Sequence, residues 1–337
     1  MTALAAALVL AAGCTGGVHK ATGVGAKPAP EVVPEQETPA PPAPTWPLTG
    51  LEAGAGEEFG PVLSVKVENS PSARPQAGLE HADVVWEQLV EGGLTRFLAM
   101  YHSDLPGEVG PIRSVRAMDA AIAGPVGGVF AFSGGFEEYV WSIRAAGILT
   151  ASDDAGDPGF YRVPDRRREH SLFGDPGRFL AAGGGQEPPA PMFAFAAGDD
   201  APTAEAAGQA AGRVTLRFPA STPSWEWTGT AWARHERGQP ALAASGRPLE
   251  AANVVVLRVT IRDTGRRDGA GARVPETVLT GEGPAAVFTA GHVVEGTWEK
   301  GGPTEALVLK AGGEEVLLAP GTTWVELLPT TGGLAVS

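Results

Sequence analysis

A chain of 337 residues with 43% hydrophobic and 19% charged content is long enough for about two globular domains. Its net charge of -14 argues against a protein that grips nucleic acid through a general basic field. One cysteine and six scattered histidines exclude an intrachain disulfide and a thiolate cluster and give no His-x-x-x-His pair, so no metal centre and no cofactor are expected.

Residues 1–13 form a short apolar run with small residues directly ahead of Cys14, the pattern in which a secretory leader ends. The stretch resembles a bacterial lipobox, although no Lys or Arg precedes the run and Ala11 stands where that motif usually carries Leu. The resemblance implies export, cleavage before Cys14 and a diacylglyceryl group on its thiol, whose two chains suffice for stable anchoring. Beyond the leader no apolar run approaches the ~18 residues of a membrane-spanning helix. Residues 14–60, rich in Pro, Ala, Gly and Glu, read as a disordered, partly extended tether.

The first folded region is expected over residues 61–185. Val62–Val67, Asp83–Val90, Leu94–Tyr101 and Val126–Phe132 carry the β-branched and apolar runs of strands. Met118–Ala123 and Phe136–Ala146 have helical spacing, and the mixture predicts an α/β or α+β layered domain. Glycine and arginine concentrate between residues 91 and 116, where Arg96, Arg113 and Arg116, joined by Arg74, have the planar forks to converge on one anion. Asp83, Glu91 and Asp119 then orient the guanidiniums or hold a divalent cation; the alternative is an internal salt-bridge lattice with no ligand. Ser133-Gly134-Gly135 reads as a tight strand-to-helix turn, an anion cradle or a nucleophile position. The loop from Tyr161 to His170 holds four arginines and is locally positive, with His170 either an acid-base group or a structural hydrogen-bonding partner.

Residues 183–191 form a Gly/Pro linker, and residues 191–330 read as a mostly antiparallel β-rich C-terminal domain with strands at Val214–Phe218, Trp225–Arg234, Asn253–Ile261, Ala285–Thr289, His292–Trp298, Ala306–Leu309, Glu315–Leu318 and Thr323–Leu328. A helix is expected near Thr203–Ala211. Trp225, Trp227 and Trp232 form either an aromatic platform or ordinary packing, while Trp298 and Trp324 read as core.

Val65-Lys-Val-Glu-Asn69, Ala73–Leu79, Ala82-Asp83, Glu91–Phe97, Gly110–Arg116 and Glu169–Phe173, followed by Ala252–Val256, Gly296–Trp298 and Pro320–Trp324, together resemble the YerB-like lipoprotein family over most of residues 60–330. At Glu169 and Ser171 the chain departs from the family pattern, which has proline before the histidine and asparagine after it. The resemblance implies a two-domain, membrane-anchored extracytoplasmic protein of Gram-positive-type bacteria, and it brings no catalytic residues with it. The combined reading is a cell-envelope binding or scaffold protein with an arginine-lined anion site, whose partners are the membrane, an anionic envelope polymer or lipid headgroup, and a further protein. The rival is an envelope-polymer hydrolase or transferase acting on a phosphate-linked substrate, with Asp83, Glu91 or Asp119 supplying acid, base or metal ligand.

Overall fold

The computed structural model describes residues 43–337 except 183 and 185, and the isolated residues 17 and 23. The predicted leader, Cys14 and the tether as far as residue 42 otherwise lie outside the described residues.

The expected apolar runs fold as strands: β1 (Leu63–Glu68), β2 (Val84–Leu89), β3 (Thr95–Tyr101), β4 (Val129–Phe132) and β5 (Leu149–Ser152). A short hairpin, β6 (Phe160–Arg162) and β7 (Leu172–Gly174), holds the basic loop, and helices α1 (Asp119–Ala123), α2 (Glu137–Ala145) and α3 (Pro176–Ala182) complete this half. Then follow α4 (Thr203–Ala207), β8 (Gln209–Ala210), β9 (Arg213–Arg217), β10 (Pro223–Trp227), β11 (Trp232–Glu236), β12 (Gln239–Pro240), β13 (Glu250–Ala251), β14 (Asn253–Arg267) and β15 (Arg273–Val278). The chain closes with β16 (Gly281–Thr289), β17 (His292–Lys300), β18 (Val308–Ala311), β19 (Glu314–Glu315), β20 (Thr323–Pro329) and β21 (Gly333–Val336).

A 13-stranded sheet runs through both halves in the order β19-β18-β17-β16-β14-β20-β2-β3-β1-β4-β5, with β15 on β14 and β8 on β17. The first half is a mixed sheet, antiparallel over β2-β3-β1 and parallel over β1-β4-β5, so the α/β expectation holds for the parallel part. The C-terminal strands are mostly antiparallel, but β14 and β20 pair in parallel, and β20 pairs in parallel with β2. That last pairing welds the halves through backbone hydrogen bonds.

Alternation along each strand sends side chains to two faces. Val84, Trp86, Leu98 and Met100 face α1 and α2, whereas Val85, Phe97 and Ala99 face α3 and a second sheet, β12-β11-β10-β9-β21. Trp225–Arg234, expected as one strand, is instead the β10/β11 hairpin, because Gly229 takes a left-handed backbone and Thr228 Oγ1 accepts from the amide of Ala231 at 3.1 Å. Trp225 and Trp232 have no exposed surface, so packing rather than a platform accounts for them. Trp298 and Trp324 are buried as expected.

The tether ends earlier than composition suggests. Trp46 packs against Phe59 and His102 with ring centroids 4.8 and 5.0 Å apart, and Leu48 is fully buried. Three large apolar side chains within fifteen residues outweigh the surrounding Pro and Gly by giving this segment something to bury.

Candidate functional site

Because β1, β4 and β5 are parallel, their carboxyl ends share one edge of the sheet, the place where open α/β sheets bind ligands. Glu68 ends β1, Ser133 follows β4 and Asp153 follows β5. A strap from Val109 to Val115 is laced into this edge: Ile112 N donates to Leu172 O (2.7 Å), Arg113 N to Lys66 O (2.9 Å), Ser133 N to Arg113 O (3.0 Å) and Val115 N to Gly134 O (3.1 Å). Gly134 is required where the strap and the Ser133 turn touch, since a Cβ there would lie 2.7 Å from Ser114 Oγ and its φ is +83°.

On one side of this junction Arg113, Ser133, Arg162 and Arg168, with the carboxylate of Glu169, line a recess of about 290 Å³. Glu68 beside it accepts from Ser70 Oγ (2.7 Å) and Arg113 Nη2 (3.3 Å) and lies 3.0 Å from His170 Nδ1, which fixes the imidazole orientation. Arg162 Nη1 donates to Arg168 O (2.8 Å), and Ser133 Oγ to Asp153 Oδ2 (3.3 Å). Among the described residues Arg168 has no carboxylate within ion-pair distance.

On the other side Glu91, Ser114, Arg116, Phe136 and Asp268 line a recess of about 210 Å³. Arg116 grips Glu91 with both arms, Nε to Oε1 at 2.6 Å and Nη2 to Oε2 at 2.5 Å. Burial opposes ionisation of Glu91, but the hydrogen bonds and charge of Arg116 hold its carboxyl below the ordinary value. Arg96 is served poorly: Nη2 is 3.7 Å from Glu91 Oε2 and Nη1 reaches only Ser114 O at 3.3 Å. Burial, then the charges of Arg116 and Arg113, disfavour its cationic form more than Glu91 supports it. Below, Asp119 accepts from Lys66 Nζ (2.8 Å), Gln88 Nε2 (2.7 Å) and Arg116 N (2.6 Å). Burial lowers the Lys66 ammonium to about 8 despite Asp119.

The structure therefore gathers Arg96, Arg113, Arg116, His170, Glu91 and Asp119 into one band and adds Lys66, Glu68, Arg162 and Arg168. It does not bring Asp83 or Arg74 there. Asp83 precedes β2 at the opposite end of the sheet, accepting from His102 N (2.5 Å) and Ser103 N (2.8 Å), and burial raises its carboxyl. Arg74 lies across the sheet, bonded to Asn69 Oδ1 at 2.9 Å and 3.0 Å from Glu236. Among the described residues no three His, Asp or Glu side chains converge as a metal-ion site.

Comparison with known proteins gives this arrangement a family. Models of the N-terminal and C-terminal domains of the family "Protein of unknown function (DUF3048)" match residues 48–188 and 214–325. The Bacillus subtilis (strain 168) protein named "Putative lipoprotein YerB" is 26% identical over 306 residues, 86% of this chain and 88% of that protein. The chain belongs to the YerB-like family. The crystal structure of YerB protein from Bacillus subtilis shares the fold, with a TM-score of 0.73 at 22% identity over 86% of this chain and 99% of that one.

In this YerB-like chain a second polar cluster, absent from the sequence reading, joins the regions matched by the two family models. The Arg234 side chain on β11 is fully buried. Its Nη2 donates to Glu87 Oε2 on β2 (2.5 Å) and to Glu236 Oε1 (2.7 Å), and its Nη1 to Glu326 Oε1 on β20 (2.9 Å). Phe97, Trp225 and Trp324 surround the guanidinium with ring centroids 5.3, 5.3 and 4.9 Å away. Isolated charges inside apolar runs, Glu87 after Val85-Trp86 and Glu326 before Leu327-Leu328, are the signal in the sequence that points to this cluster.

Proposed function

We propose that the chain is a membrane-anchored lipoprotein of the extracytoplasmic cell surface that binds an anionic envelope component, a polymer phosphate or a lipid headgroup, and serves as a binding or scaffold protein. The observation that carries the binding reading is the convergence of Arg113, Arg162 and Arg168 on one recess at the carboxyl ends of β1, β4 and β5, with the poorly paired Arg96 adjoining. Fixed guanidinium forks suit phosphate oxygens, and the overall negative charge of the chain makes this positive edge a local feature rather than a general field. The anchor reading is supported by the apolar run ahead of Cys14 and by the name of the Bacillus subtilis relative, and no described helix is long and apolar enough to cross a membrane.

The test is calorimetric titration of the full chain with inorganic phosphate, pyrophosphate and short glycerol-phosphate oligomers, beside an Arg113→Ala/Arg162→Ala variant. Binding that the variant loses supports the site; a folded protein that takes up none of the three probes ends the reading. For the anchor, Cys14→Ser is expected to abolish palmitate incorporation and release the protein from the membrane fraction.

A further inference from the structure

On the face of the sheet opposite the arginine band, at the seam between β1-β3 and the second sheet, lie two adjoining recesses of about 350 and 300 Å³. Asn69, Arg74 and Glu236 line both, so the ion pair Arg74 Nη2 to Glu236 Oε2 (3.0 Å) forms the partition. The floor is rigid, since Glu236 is also held by Arg234 at 2.7 Å and Asn69 by Glu87 and Thr95.

The first recess is positive. Arg217 and Arg237 line it, and among the described residues neither has a carboxylate within ion-pair distance. Ser221 lines it as well, with a buried Oγ that has no hydrogen-bond partner. Arg237 occupies a left-handed position, φ +51°, ahead of Gly238 at φ +76° in the β11–β12 turn. Turns of this hand favour Asn-Gly, so an arginine there is held at a cost, and such outliers gather at functional sites. The second recess is apolar on one side, where Phe97, Leu242 and Leu249 contribute. Clefts that pair a few convergent polar groups with an apolar wall at a domain seam are the usual form of small-ligand sites.

We infer that the seam is a second binding site, distinct from the arginine band, for a small organic anion whose phosphate or carboxylate sits among Arg217, Arg237 and Ser221 and whose apolar part lies against Phe97, Leu242 and Leu249. The Arg74–Glu236 pair positions the junction between the charged and apolar ends.

Calorimetric titration of the full chain with hexyl phosphate and with hexanoate tests this, using inorganic phosphate and 1-hexanol as the two partial probes. At least one of the tailed anions is expected to bind more tightly than either partial probe, and which one does so distinguishes a phosphate ester from a carboxylate. Arg217→Ala/Arg237→Asn, in which asparagine keeps the left-handed turn, is expected to weaken binding at least about tenfold, as loss of charge-assisted hydrogen bonds does. Leu242→Asp, at a half-exposed side chain, is expected to lower affinity to that for inorganic phosphate. The Arg113→Ala/Arg162→Ala variant is expected to leave it unchanged, which separates this site from the band. Failure of both tailed anions to bind, or equal affinity in the Arg217→Ala/Arg237→Asn variant, overturns the proposal. Affinity lost only in the Arg113→Ala/Arg162→Ala variant does so too, assigning the ligand to the band.

Discussion

Glu87 and Glu326 stand opposite one another across the parallel pairing of β2 with β20 and share the guanidinium of Arg234, which reaches Glu87 Oε2 at 2.5 Å and Glu326 Oε1 at 2.9 Å, while Glu326 Oε2 is buried without a partner. Two buried carboxylates that share one guanidinium oppose each other's ionisation. Burial and the charge of Glu87 raise Glu326 well above its ordinary value, whereas Arg234, against the cost of burial, holds Glu87 below it. Of the two, Glu326 is therefore the one that holds a proton more readily and Glu87 the one that keeps its charge. Stability due to Glu326 is complete below the ordinary value of 4.5 and is lost as pH rises through its elevated value in the folded protein. Glutamine at 326 keeps an acceptor for Trp225 Nε1 and Arg234 without a proton to lose. Glu326→Gln is expected to match the wild type in thermal melting near pH 5 and to exceed it increasingly at higher pH. Glu87→Gln, which takes a charged partner from a buried guanidinium, is expected to cost about 3–5 kcal/mol in urea unfolding at pH 7. Equal effects of the two substitutions would refute the assignment of the proton.

Why the sequence concealed this cluster is a matter of register. Glu87 and Glu326 are 239 positions apart, and only the β2–β20 alignment makes them neighbours. The strands themselves were legible, because Val65, Val67, Val84 and Val85 belong to runs whose burial on both faces suppresses alternation. The band was half legible: Arg96, Arg113 and Arg116 stand out beside turn glycines, and His170 in a loop of four arginines. Lys66 and Glu68 are concealed as the polar members of an apolar strand. Composition groups Arg74 with Arg96, Arg113 and Arg116, yet it follows odd-numbered Asn69 around to the other face, a distinction that depends on the fold of the short turn after β1.

Lys66 and Asp119 are both fully buried. The ammonium stands at about 8 against an ordinary 10.5, so between those values the unfolded chain binds more protons than the folded one and stability rises with pH. Lys66→Met is expected to flatten this rise in thermal melts recorded from pH 7.5 to 10.5. It leaves Asp119 without its cation and is expected to cost about 3 kcal/mol at pH 7, much of which Lys66→Met/Asp119→Asn recovers. A slope that persists in Lys66→Met would assign the titration to another group.

Gly50 joins the leading segment to the body. Its φ is +66°, and a Cβ there would lie 2.5 Å from Phe195 Cγ. Gly50→Ala is expected to destabilise by about 1–3 kcal/mol through overpacking, and Trp46→Ala by about 2 kcal/mol, less than a fully buried ring. Both substitutions are expected to open residues 45–59 to limited proteolysis. Wild-type resistance in both would mean that the segment contributes no stability.

Arg96 and Arg116 share Glu91 unequally, and the inequality separates a structural arginine from one reserved for a ligand. Arg116 has two short bonds to the carboxylate, so Arg116→Met strands a buried Glu91 and is expected to cost about 3 kcal/mol. Arg96 has one distant contact and one carbonyl, and its removal relieves repulsion with Arg116 and Arg113. In phosphate-free buffer Arg96→Met is expected to lie within about 1 kcal/mol of the wild type, a value typical of sites without strong native partners. Added phosphate is expected to raise the melting temperature of the wild type and not that of Arg96→Met, because an anion bound at the band supplies the charge that Glu91 does not. A cost for Arg96→Met equal to that for Arg116→Met, with unchanged phosphate stabilisation, would make Arg96 part of the lattice and leave Arg113, Arg162 and Arg168 to bind alone.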